Sequence, residues 1–250
     1  MRFSYLLVAL KKYLRILDSV IHPKKYFIYP KKYYETHKLS FSQEGEDLIL
    51  NRIFDNQKTG FYVDIGAHHP QRFSNTYHFY LNGWRGINID AMPGSMELFD
   101  KLRPGDINIE IPISNNAEEL IYYQFNDPAL NGFSAELSEQ RNEHEKYTII
   151  SKKKLKTEKL SFILDRYAPP VKVIDFMSID VEGLDFEVLM SNDWAKFRPR
   201  FLIVEDFLFK DLKDISDSRI YNFLIENGYS LHSCLVRSFI YMDIKNKNIF

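Results

Sequence analysis

Apolar residues along this chain follow two rhythms, and the switches between them mark its elements. Phe61–Ile65, Gly86–Asp90, Ile107–Ile113, Leu120–Phe125, Val173–Asp180 and Phe201–Glu205 are short runs rich in Ile, Val, Phe and Tyr, which predicts strands. Between them, apolar residues recur at helical spacing over Leu48–Phe54, Asn75–Leu81, Gly94–Arg103, Leu160–Tyr167, Leu184–Met190 and Ile215–Asn227. Ser74 has the chemistry of an N-cap for the second of these, and Gly83 that of its stop. Tyr229–Val236 and Phe239–Asp243 read as a closing hairpin. Strands alternating with helices predict an α/β fold: a mostly parallel central sheet with an antiparallel C-terminal strand, and helices on both faces.

Two stretches depart from this rhythm. Between Asn126 and Lys156 the pattern weakens to a turn at Asn131–Ser134, a polar helical segment over Ala135–Tyr147, and the run Lys152–Lys156, read as a solvated strand edge or loop. An insertion around 126–156, near the carboxyl edge of the sheet, has the placing of a substrate lid. Residues 1–38 begin with a helical stripe of Leu6, Leu10, Tyr13, Leu14, Leu17 and Ile21 and continue into two basic-aromatic clusters over His22–Tyr34. The uncharged run Phe3–Leu10 is too short to span a bilayer, and no small-residue cleavage site follows it. This predicts a basic amphipathic arm over 1–38 and one main domain over 39–250.

Charge separates the same two parts. Residues 1–38 hold nine Lys/Arg against Asp18 and Glu35, a balance of +7, leaving 24 basic and 32 acidic residues, or −8, on the rest. The arm therefore suits an anionic partner: the inner face of a membrane, as a peripheral contact. Packing on the body or on a second subunit of a homo-oligomer is the plainer alternative. The acidic body disfavours nucleic acid. Cys234 is the single cysteine of 250 residues, so there is no intramolecular disulfide and no multi-cysteine metal site, which fits a cytoplasmic chain. It sits in an apolar run and reads as a small core residue.

The chemistry collects at strand ends. Phe61–Ile65 runs into Gly66-Ala-His-His-Pro70, delivering Asp64, His68 and His69 to a carboxyl end, where open α/β sheets bind ligands. A pyrophosphate turn needs Gly-x-Gly-x-x-Gly, and here the second glycine position is His68, which disfavours a dinucleotide. Asp90 ends the next strand, where an acid can accept from a ribose diol or cap the following helix. The Val173–Asp180 run also ends in an acid, with Glu182 two residues on.

Taken in order, Ser42-Gln-Glu-Gly-Glu-Asp47, Val63-Asp-Ile-Gly-Ala-His-His-Pro70, Ser74-Asn-Thr76, Gly83-Trp-Arg-Gly-Ile-Asn-Ile-Asp90, Ile179-Asp-Val-Glu-Gly183, and Arg198-Pro199 with Val204-Glu205 resemble the FkbM-type methyltransferases. That resemblance covers about residues 40–206 and implies a class I, Rossmann-like fold that uses S-adenosylmethionine (SAM), with O-methylation of a sugar in a surface glycan or natural product as the expected activity. It implies Asp64, Gly66 and Ala67 beside the methionine part of SAM, Asp90 on the ribose, and Ala91 and Met92 flanking adenine. It also implies Ser114 and Asn115 near adenine, Asp180 and Glu182 at the reacting centre, and Gln43 over the cofactor.

Methyl transfer releases a neutral thioether, so the leaving group needs no acid, but a sugar hydroxyl must lose its proton. His69 or His68 is one candidate base, and Asp180 or Glu182 is another. A divalent cation, Mg²⁺ or Mn²⁺, on Asp180, Glu182 and His69 is a third route. In the plainest reading the histidines only bond the loop backbone. Two rival functions stay in view: an NAD-dependent sugar oxidoreductase or epimerase, and a non-catalytic partner in glycan assembly that keeps the fold.

Overall fold

The computed structural model describes residues 38–170, 173–206 and 212–245; the N-terminal stripe and its basic-aromatic clusters lie outside them. The described residues form nine strands: β1 Phe61–Ile65, β2 Arg85–Asp90, β3 Ile107–Glu110, β4 Glu119–Phe125, β5 Ile149–Lys156, β6 Phe176–Ile179, β7 Phe201–Glu205, β8 Tyr229–Cys234 and β9 Ser238–Asp243. The helices are α1 Glu46–Ile53, α2 Tyr77–Leu81, α3 Met96–Leu102, α4 Ala135–Asn142, α5 Leu160–Tyr167, α6 Asp185–Met190 and α7 Arg219–Glu226. Seven strands make one sheet in the order β3-β2-β1-β6-β7-β9-β8. All neighbours from β3 to β7 are parallel, and β9 runs antiparallel between β7 and β8. The expected α/β architecture, mostly parallel with one antiparallel C-terminal strand, is the observed one.

Strand alternation builds the two faces. Phe61, Val63 and Ile65 of β1, with Met177, Ile179, Leu202 and Val204, pack under Leu164 of α5, Val188 of α6 and Leu224 of α7. Tyr62, Phe176, Phe201 and Ile203 point the other way, against Leu50 of α1, Phe54, Phe79 of α2 and Trp84. Each fully buried side chain of this size contributes roughly 1.5–3 kcal/mol, so a one-residue slip in register would expose whole rows. Connections from β1 to β3 run to one side of β1, and the chain then returns to lay β6 on its other side. The carboxyl ends of β1 and β6 therefore flank a topological switch point, where such sheets open a crevice.

Several elements differ from their sequence expectation. β3 stops at Glu110, not Ile113, because Pro112 has no N–H to donate to a ladder. Leu120–Phe125 is a strand but leaves the main sheet: β4 pairs antiparallel with β5 as a separate ribbon, with the Lys152–Lys156 run as its second strand. Cys234 is exposed, not a core residue, since β8 is the edge strand and its register shifts between Leu231 and Ser233.

Candidate active site

Three strand ends are stitched together at the switch point. Gly66 N and Ala67 N both donate to Ile89 O at 2.9 and 3.0 Å, and Asp180 N donates to Ile65 O at 3.0 Å. Gly66 turns at φ +81°, and a Cβ there would lie 1.7 Å from the carbonyl oxygen of Asp180, so this position admits only glycine. The chains leaving β1 and β6 touch through backbone alone, leaving space above them free for a ligand.

Asp90 ends β2 in that space. Its Oδ1 accepts from Met92 N at 2.7 Å and its Oδ2 from His68 N at 2.8 Å, so each oxygen keeps a lone pair for a further donor. Burial holds its carboxyl above the usual range, opposed by those backbone bonds. Asp64 lies beneath, buried, accepting from Thr76 Oγ1 at 2.8 Å, with burial lifting its pKa to about 6. Thr76 Oγ1 in turn accepts from Arg103, itself fully buried and bonded to Asp106 at 2.9 Å and Tyr62 at 2.7 Å. This network fixes the underside of the turn.

The two histidines part company. His68 sits at φ +53°, not on an extended loop, and lines the cleft. Its Nε2 is buried without a hydrogen-bond partner, and desolvation followed by the Arg72 charge lowers its pKa to about 4. His69 does not line the cleft; its Nδ1 accepts from Gln71 N at 3.1 Å and Arg72 N at 3.0 Å, holding the loop.

Asp180 and Glu182 stand at the other end. Glu182 turns at φ +55° and is followed by Gly183 at φ +103°; Asp185 clamps this turn by accepting from Val181 N and Gly183 N, each at 3.1 Å. Arg141 of α4 donates to Glu182 at 2.5 Å, tying the inserted ribbon and helix to the site. Glu205, at the end of β7, joins them: one ligand atom from each of Asp180, Glu182 and Glu205 lies within 4.8 Å of the others. All three carboxyls are pushed upward in pKa, first by desolvation; the next cause is Asp185 for Asp180, and Asp180 for both glutamates. His69 has no part in this cluster. The sequence gives Glu205 no site role beyond its place in the Val204-Glu205 motif; the signal for one is a strand that ends in an acid.

The Ser42–Asp47 motif forms a wall. Asp47 accepts from Ser40 Oγ at 2.6 Å, Phe41 N at 2.7 Å and Ser42 Oγ at 2.8 Å, while Glu44 accepts from Arg237 N at 2.9 Å. The motif is thereby held to the β8–β9 turn, and Gln43 faces the cleft.

The cleft so bounded is open to solvent. Gly66, His68, Asp90, Ala91, Met92, Asp180, Glu182 and Gln43 line it, and Ile89, Ile111, Ile113 and Tyr122 give it an apolar end. Asp64, Ala67, Ser114, Asn115 and His69 lie outside the lining. Ala67 packs on Met96 and Phe99, and Ser114 is buried with its N–H donated to Glu158 O at 3.0 Å. Ile111, Pro112 and Ile113, just before Ser114 and Asn115 in the chain, line the cleft.

A sheet in this strand order, opening a cleft over β1, β2 and β6 with an acid at the end of β2, defines the Rossmann-like methyltransferase class. The sequence profile described as "Methyltransferase FkbM domain" matches residues 64–231, well over half of the chain, and the chain belongs to that methyltransferase family. No curated protein matches the chain.

Proposed function

We propose that this methyltransferase uses SAM to methylate a hydroxyl of a sugar, in a surface glycan or a glycosylated natural product. The observation that carries the reading is one cleft with two chemically different ends. At one end an apolar slot of Ile89, Ile111, Ile113 and Tyr122 suits an adenine, and Asp90 beside it keeps lone pairs for a ribose diol. At the other, Asp180, Glu182 and Glu205 gather negative charge where an acceptor O–H must give up its proton. Gly66 between them allows the methionine part to pass close to backbone. SAM, when bound, would supply the methyl group and leave as a neutral thioether, and a carboxylate of the cluster would take the acceptor's proton. Positioning of acceptor oxygen, methyl carbon and sulfur in line is the main contribution of the fold.

His68 serves the cofactor side in this reading: uncharged near neutral pH, it offers Nε2 to a ligand in the cleft without placing a positive charge beside the sulfonium. The sugar acceptor rests on the family resemblance, and the basic arm suits work at the inner face of a membrane, where lipid-linked glycans are assembled. Calorimetry with SAM and with NAD, followed by mass spectrometry of the organism's glycans with and without the protein, tests the reading. SAM binding together with loss of a +14 Da methylation in the deletion is the expected outcome; NAD binding without SAM binding overturns it.

A further inference from the structure

The geometry points to a site for a hard divalent cation, Mg²⁺ or Mn²⁺, formed by Asp180, Glu182 and Glu205 at the acceptor end of the cleft. Parallel pairing of β6 and β7 puts Ile179 opposite Val204, so the next residues, Asp180 and Glu205, stand side by side at the carboxyl edge. The clamped turn after Asp180 brings Glu182 back over the same edge, and an oxygen from each residue falls within 4.8 Å of the other two. Oxygen-only donors of this charge and spacing select Mg²⁺ or Mn²⁺ over softer metals.

A cluster of acids alone would not carry this. The independent observation is Glu205: it is only 9% exposed, and its Oε2 is buried with no hydrogen-bond donor, facing only the carboxyl of Asp180 within the cluster. A buried carboxylate oxygen left unpaired beside two further carboxylates is costly, and a cation bound among them removes that cost. Arg141 pairs with Oε2 of Glu182, and the side chain keeps lone pairs for a cation. Asp180 and Glu182 line the cleft while Glu205 stands behind them, so an ion here has protein on one side and open coordination positions facing the acceptor. Such an ion would draw a hydroxyl oxygen into place and ease loss of its proton. That last role rests on the methyltransferase reading, whereas cation binding does not.

The test is titration of Mn²⁺ alone into the full-length protein without cofactor, with free Mn²⁺ read by electron paramagnetic resonance. One saturable Mn²⁺ per chain is expected, displaced by Mg²⁺, with affinity at least tenfold weaker in Glu205→Gln and in Asp180→Asn. Thermal melts confirm that each variant folds; if Glu205→Gln does not, Glu182→Gln is titrated in its place, with the same weakening expected. No saturable binding at millimolar Mn²⁺, or affinity unchanged in folded variants, overturns the site. SAM calorimetry in EDTA is run in parallel and reports on the cofactor reading alone, so one can fail without the other.

Discussion

Asp90 and His68 show how much of the site depends on single side chains. Each Asp90 oxygen is half-used by a backbone N–H, so the carboxylate is already oriented before any ribose arrives. Asp90→Ala should weaken SAM binding by about 1–3 kcal/mol, the scale of hydrogen bonds to a charged group; unchanged affinity by calorimetry would remove its ribose role. For His68 the sign follows from its environment. Its folded pKa is about 4 against an ordinary 6.5, so between those values the unfolded chain binds a proton that the folded chain refuses. The stability His68 contributes is present above about pH 6.5 and is lost as pH falls toward 4. His68→Asn keeps a residue type that tolerates φ +53° and has no such titration. Melting temperatures taken from pH 7 to 4.5 should fall more steeply for the wild type than for this variant; parallel curves would contradict the assignment.

Elements were more legible in the sequence than the contacts between them. Short apolar runs marked β1, β2, β6 and β7, and acids at strand ends marked the cleft, because both signals are local. Glu205 reads in sequence only as a strand end within a family motif, because its partnership with Asp180 exists only through the register of two parallel strands 20 residues or more apart in sequence. Pro112 ends β3 early, so Ile111, Pro112 and Ile113 line the cleft just before Ser114 and Asn115, the residues that the resemblance places near adenine. The tie between α3 and β1 was equally hidden: Arg103 reads as a helix-end charge, yet it is fully buried against Asp106, Tyr62 and Thr76. Arg103→Met should leave Asp106 without its counter-charge and cost about 3–5 kcal/mol. In a domain of this size that is a drop of roughly 10 °C in Tm. Adding Asp106→Asn should recover part of the loss, and a double variant no better than the single would show that packing, not charge, is at stake.

On the scale of the whole molecule, charge is the feature that the fold does not use. The compact unit carrying the sheet begins at Ser40, while the +7 balance belongs to residues 1–38 and the remaining chain carries −8. Among the described residues no helix is long and apolar enough to cross a membrane. A basic segment near anionic lipid gains about 1 kcal/mol per Lys or Arg, falling off over a Debye length of about 8 Å at physiological salt. Attachment of this kind should therefore be salt-sensitive. Deleting residues 1–35 removes eight of the nine basic residues of that segment and both of its acids, with Lys38 left in place. The truncated protein should keep its SAM affinity, since no cleft residue is lost, and should move from the membrane pellet to the supernatant on fractionation. The full-length chain should make the same move in about 0.5 M salt if the attraction is electrostatic. A truncated protein that stays with the membrane would reject the arm as an anchor. One that leaves together with its SAM binding would assign the arm to the domain itself.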